Sequence, residues 1–153
     1  MTITDDSGTL RHDVETSVRV RDFLARQARL LDDVDADGFA ATFTPDGVLR
    51  HASRDDALRG RAAIAAATRA TAAAHAEVTH RHWFDQFVID PGPSAEILLV
   101  SYYALTSLTD RDGAVRFLPS VLVRDELHRG PSGALAVADR LVTRDDLAQG
   151  ARP

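Results

Sequence analysis

The sequence predicts an α+β domain whose helices come first and cover one face of a strongly curved, mainly antiparallel sheet. Three observations point there. Apolar residues recur at helical spacing before about residue 75, and from Val78 onward the chain changes to long runs rich in Val, Ile, Leu and aromatic residues. Those runs are separated by turn-forming segments, PGPS at 91–94, DRDG at 110–113 and RGPSG at 129–133. With 153 residues and 44% hydrophobic content, the chain fits one globular domain able to bury a core around a small-molecule cavity. We read the domain as residues 10–145, with a polar N-terminal tail over 1–9 and a C-terminal tail over 146–153.

In order along the chain, Val20, Phe23, Leu24, Ala28 and Leu31 define the apolar stripe of a first helix ending near Leu31. Asp35 and Asp37 open a short second helix, where carboxylates suit the unpaired N–H groups and the positive end of the dipole. Phe39 and Phe43, four apart, give it an apolar side, and TPDG at 44–47 is expected to end it. A brief strand over 48–52 follows, then an Ala-rich third helix over 60–75. Four consecutive antiparallel strands complete the domain. The strand over 97–108 is apolar on both faces, Leu98, Val100, Tyr102 and Ala104 on one and Ile97, Leu99, Tyr103 and Leu105 on the other. Both faces should therefore be covered, the second by another subunit.

Composition removes several kinds of chemistry. The chain has no Cys, Lys or Asn, so all eighteen basic residues are Arg. Disulfides, a thiolate nucleophile, Cys-based zinc and a Schiff-base amine are thereby excluded. The net charge of −5 is spread along the chain, which makes nucleic acid or an anionic membrane a poor partner and a small neutral or weakly polar ligand a better one. MTITDDSGTL carries acids where a secretion signal needs basic and apolar segments, and no stretch is apolar for long enough to span a membrane. A soluble, cytoplasmic protein is expected.

Two ionisable residues stand out by position. Asp32 lies four residues after Ala28 and eight after Leu24, so it continues the inward stripe, whereas Asp33 and Asp35 turn elsewhere. An acid on that stripe either caps a helix junction, pairs with an Arg or does chemistry. His82 alternates with His80, Phe84, Gln86 and Val88 on one strand face, opposite Trp83, Phe87 and Ile89. A histidine there is structural or catalytic.

RLLDDVDADGFAATFTPDG at the end of the first helix, RHWFDQFVID opening the main sheet and AVADRLVTRDD at the last strand, in that order and spacing, resemble the SnoaL-like branch of the nuclear transport factor 2-like superfamily. The resemblance spans roughly residues 10–145. It implies a cone-shaped barrel of curved sheet and three helices enclosing a pocket, commonly paired into homodimers through the outer sheet face, and no cofactor or metal. Relatives include dehydratases, isomerases, polyketide cyclases and accessory subunits, so fold alone does not decide function.

By this resemblance Asp32 matches the carboxylate set against the catalytic histidine, and His82 matches that histidine. A carboxylate on one imidazole nitrogen fixes the tautomer for proton abstraction beside a carbonyl. His51 falls near a substrate-polarising Tyr of related dehydratases, and Ser107 near their second proton-handling group. If Ser107 replaces that group, either Tyr103 or His80 takes its role or the reaction is simpler than dehydration, with Phe84 beside His82 on the substrate-facing side. A metal shared by His80, His82 and Asp32 is disfavoured, and Arg140 is read as one half of a structural ion pair.

The function expected is a cofactor-free lyase, isomerase or cyclase acting on an apolar polyketide-like, terpenoid or aromatic molecule. Epoxide hydrolysis or epoxide-opening ether formation is an alternative, although the Asn of such sites is missing here. A non-catalytic ligand-binding or accessory subunit is another, and a filled interior would favour it over an enzyme.

Overall fold

The computed structural model describes residues 13–147, together with the backbone of two short strands, β1 (Ile3–Thr4) and β2 (Leu10–Arg11), which pair antiparallel. Most of the two expected tails lies outside the described residues.

The first helix, α1, runs Val14–Asp32. The Asp13 side chain caps it by accepting from the Thr16 amide at 2.8 Å. Its stripe buries Val20, Leu24, Gln27 and Ala28, and the helix packs against strand β5 (Thr79–Pro91). It ends in a Schellman arrangement, the Asp35 amide donating to the Leu30 carbonyl at 2.9 Å and the Val34 amide to the Leu31 carbonyl at 3.1 Å. The position that glycine usually fills in this motif is Val34, at φ 59°.

Helix α2 (Ala36–Ala41) follows directly, capped by Asp35 on the Gly38 amide at 2.8 Å. TPDG does not terminate it as a turn. Strand β3 runs Phe43–His51 and absorbs that segment as an irregularity in its pairing between Phe43 and Val48. Gly47 permits the kink, since a Cβ there would lie 2.9 Å from the Val137 carbonyl oxygen. The Arg61 guanidinium clamps the kink by donating to the Phe43 carbonyl at 2.7 and 2.9 Å. A short strand, β4 (Ala57–Arg59), which the sequence reading did not anticipate, leads into α3 (Gly60–Ala74).

The meander comprises β5, β6 (Ile97–Thr109), β8 (Val121–Arg129) and β9 (Leu135–Arg144), at the expected turns. An additional β7 (Val115–Phe117) pairs with the end of β6. The sheet order is β4-β3-β9-β8-β6-β5, with β3 and β9 parallel and the other pairs antiparallel. The α+β class with three leading helices is as expected. The sheet does not close into a barrel, so β4 and β5 remain its edges.

One face of the sheet carries the core, Ile89, Leu98, Val100, Tyr102, Ala104, Val123, Leu127 and Val137 packing with Leu24, Phe39, Phe43 and Ile64 of the first half of the chain. Among the described residues, much of the opposite face is left uncovered. Trp83, Val88, Leu99, Tyr103 and Phe117 are exposed on it. The expected alternation of β5 also fails beyond Phe84. A bulge between Asp85 and Val88, with Gln86 at φ 58°, shifts the phase by one residue. Phe87 and Ile89 therefore join the core side and Val88 the outer side, the reverse of the simple period-two reading.

Candidate functional site

Asp32 closes α1 with its side chain 6% exposed, facing the start of β5. Its Oδ1 accepts from the His82 backbone N–H at 2.9 Å and lies 2.8 Å from His82 Nδ1. An oxygen that accepts from the amide is an acceptor for the ring as well, so in the neutral ring the hydrogen belongs on Nδ1 and the lone pair on Nε2. Arg81 lies 4.0 Å from Asp32 Oδ2 and is half-exposed, a contact too long to compete with the histidine.

His82 lines a cavity of about 400 Å³ between the helices and the inner sheet face. Leu49, Leu58, Phe39, Val121, Val123 and Val142 provide much of its apolar wall. Along β5, His80, His82 and Phe84 follow one another into it, and the rings continue to His75 on one side and Tyr102 on the other. Burial, and secondarily the neighbouring imidazoles of His82 and His75, pushes the pKa of His80 down. Burial and then Arg54 do the same to His51, which lines the cavity from the end of β3. Both are therefore neutral near pH 7, and each can donate one N–H to a ligand oxygen.

His51, His80, His82 and Phe84 thus stand together around one cavity, with Asp32 behind His82. Tyr103 and Ser107 do not join them. Both lie on the outer face: Tyr103 is half-exposed, and Ser107 is covered by Trp83, whose indole N–H donates to its hydroxyl at 3.3 Å. The β5–β6 register is the physical reason, because it sets His82 opposite Thr106 and Phe84 opposite Ala104, and paired residues share a face. The inward residues of β6 are accordingly Tyr102, Ala104 and Thr106, which line the cavity. Tyr102 is 1% exposed in that wall. Ser107 therefore does not reach the cavity, whereas its neighbour Thr106 does.

The SnoaL-like domain model matches residues 12–140, well over half of the chain. The chain belongs to the SnoaL-like family. No curated protein matches this SnoaL-like chain. Among solved structures, Aln2 from a Streptomyces species is 38% identical with a TM-score of 0.85, over 92% of this chain and 99% of that one. ActVI-ORFA from Streptomyces coelicolor is 34% identical with a TM-score of 0.80, over 87% and 99%. A protein from Catenulispora acidiphila, solved in complex with S-DNPA, is 34% identical with a TM-score of 0.77, over 90% and 99%. The fold is that of nuclear transport factor 2-like proteins, also described as cystatin-like.

Behind the cavity of this SnoaL-like domain lies a polar network that sequence reading found only in part. Arg140 is buried and forked onto Asp125, Nε to Oδ1 at 2.7 Å and Nη2 to Oδ2 at 2.6 Å, the two residues facing each other across β8 and β9. Nη2 also donates to Gln27 Oε1 at 2.6 Å, Gln27 donates to Thr42 at 2.7 Å, and the Tyr102 hydroxyl donates to Asp125 at 3.2 Å. Burial alone would lower the Arg140 pKa, but Asp125 and Tyr102 outweigh it and the net direction is up. Burial raises the Tyr102 pKa well above its ordinary value. This network joins α1, β6, β8 and β9 behind the pocket, while its charges are matched internally.

No described helix is long and apolar enough to cross a membrane. Among the described residues, no group of three or more His, Asp or Glu side chains is arranged to hold a metal ion.

Proposed function

We propose that the protein is an acid–base enzyme, a lyase, isomerase or cyclase, acting on an apolar polyketide-like or aromatic small molecule in the His82 cavity. The observation that carries this reading is the Asp32–His82 pair at the wall of an apolar cavity, with Nδ1 committed to the carboxylate and Nε2 left to act. The likeness to Aln2 and ActVI-ORFA supports it, as does membership of a family that includes polyketide cyclases and dehydratases.

In this reading His82 Nε2 takes a proton from a carbon beside a carbonyl. Asp32 stabilises the imidazolium that forms, and the N–H groups of His51 and His80 bear on the oxygen that gains charge. In elimination, the electron pair of the broken C–H bond becomes a new C=C bond as the C–O bond breaks, and the departing hydroxyl takes the proton from His82 to leave as water. In isomerisation the same proton returns to another carbon. The apolar walls exclude competing water. An open cavity beside the dyad argues for this function over an accessory role.

We propose also that a second copy of the chain covers the outer sheet face, where Trp83, Leu99, Tyr103 and Phe117 are exposed together.

The test uses S-DNPA and polyketide-like aromatic ketones as substrates, with His82→Ala and His82→Gln compared against the parent chain. Loss of turnover in both variants, with circular dichroism unchanged, supports the reading. Undiminished turnover in folded His82→Ala eliminates it.

A further inference from the structure

In an elimination, the nitrogen that takes the C–H proton keeps its lone pair aimed at that proton, so His82 Nε2 has no hydrogen to offer the departing oxygen while the C–O bond stretches. A second hydrogen-bearing group beside Nε2 removes the difficulty. The sheet places one there. His82 on β5 and Thr106 on β6 are direct cross-strand partners. Their backbone groups turn away from each other, the His82 N–H donating to Asp32 and the Thr106 carbonyl accepting from the Leu118 amide at 2.9 Å, just past β7. They therefore form a non-hydrogen-bonded pair, the type whose Cα atoms lie about 4.5 Å apart and whose side chains stand closest. Both residues line the cavity.

Thr106 also has a proton to give. The cavity hydroxyls of Thr68 and Thr71 donate back to the helix carbonyls of Ile64 and Ala67 at 2.8 and 3.1 Å, and that of Tyr102 donates to Asp125. Among the described residues, the Thr106 hydroxyl has no protein partner. Its β-branched side chain has few χ1 choices, so the hydroxyl is confined to few positions. The other donors are placed differently. His80 lies two residues along β5, its ring centroid 6.4 Å from that of His82, and His51 belongs to β3, so neither is the cross-strand partner of His82.

We propose that Thr106 is a further catalytic residue, whose hydroxyl carries the proton from His82 to the departing oxygen of the substrate. As the electron pair of the C–H bond becomes the new C=C bond and the C–O bond breaks, the Thr106 hydroxyl gives its proton to the leaving hydroxyl, which departs as water. The Thr106 oxygen takes the proton held on Nε2 in the same step. Both side chains end neutral, and no other reactant is consumed. This rests on the elimination reading of the His82 cavity, and it names the proton donor that the dyad lacks.

The experiment separates removal of the proton from loss of the hydroxyl, using the full chain and two probes. 4-Phenylbutan-2-one has no hydroxyl to lose, and deuterium uptake beside its carbonyl, followed by NMR in heavy water, reports on the base. 4-Hydroxy-4-phenylbutan-2-one can eliminate, and its conjugated product is followed by absorbance. Thr106→Val keeps the branched shape and removes the hydroxyl, and it should slow elimination by about tenfold or more beyond any effect on deuterium uptake. Thr106→Ser, which restores a hydroxyl, should recover most of that loss. If Thr106→Val slows both reactions alike or neither, or Thr106→Ser recovers nothing, the inference fails, while uptake that disappears in His82→Gln keeps the proposed function. Uptake that is absent from the parent chain, or that survives in folded His82→Gln, overturns both readings.

Discussion

Asp32 Oδ1 holds His82 twice, accepting its backbone N–H at 2.9 Å and facing its Nδ1 at 2.8 Å. One carboxylate oxygen thereby fixes the strand position, the ring orientation and the tautomer of the histidine. Asp32→Asn replaces an acceptor that serves both groups with an amide that cannot satisfy both in the same way. We expect turnover to fall by about 10²–10⁴-fold with little change in KM. Nitrogen-15 NMR of the imidazole should show loss of the fixed Nδ1–H form. A variant that keeps both rate and tautomer would separate Asp32 from the chemistry.

The Arg140–Asp125 pair should behave as a buried ion pair. Arg140→Met leaves the Asp125 carboxylate in the core with only the Tyr102 hydroxyl, so unfolding in urea should show a loss of about 3–5 kcal/mol. The double variant Arg140→Met/Asp125→Leu removes both charges and should lose less than the single change. Equal losses would mean that packing, not the stranded charge, sets the effect.

Val34→Gly should raise stability. Left-handed geometry costs a non-glycine residue about 1–2 kcal/mol, against about 0.5–1 kcal/mol for the added freedom of glycine in the unfolded chain. Val34 is half-exposed, so little burial is lost. A rise of about 2–4 °C in Tm per kcal/mol gained is expected for a domain of this size. A fall would place the value of Val34 in its packing.

Acidification should weaken the fold partly through His51 and His80. Their folded pKa values lie below the ordinary 6.5, so the unfolded chain binds more protons as pH drops through that value. Stability is present above about pH 6.5 and declines until the folded pKa values are passed. His51→Gln/His80→Gln should flatten the fall in Tm between pH 7 and 5. An unchanged slope would assign that pH dependence to other groups.

The proposed dimer predicts a sedimentation mass of twice the chain mass, reduced to the monomer by Leu99→Glu. A monomeric parent chain would remove it.

Much of this arrangement was legible in the sequence because it follows periodicity. The stripe through Leu24 and Ala28 carried Asp32 inward, and His82 fell on the inner face with His80 and Phe84. What periodicity could not carry was phase across irregularities. The bulge at Asp85–Gln86 reversed the faces of Phe87 and Val88, and nothing in DQF announces a left-handed glutamine. Strand register is likewise set by pairing, so Ser107 and Thr106 could not be told apart by spacing, nor Tyr103 assigned to the outer face. The TPDG segment read as a turn because its residues favour turns. Its partner strand β9 and the Arg61 clamp, both distant in sequence, keep it within β3.

β5 lies at an edge of the seven-stranded sheet, paired there with β6, and the amide of His82 points away from that neighbour toward Asp32. Its hydrogen-exchange rate is therefore governed by the carboxylate rather than by the ladder. Any excursion that lifts the end of α1 from β5 exposes this amide and dismantles the acid–base pair in one event. The lifetime of the competent site is thus written into a single exchangeable proton, readable with no substrate in hand.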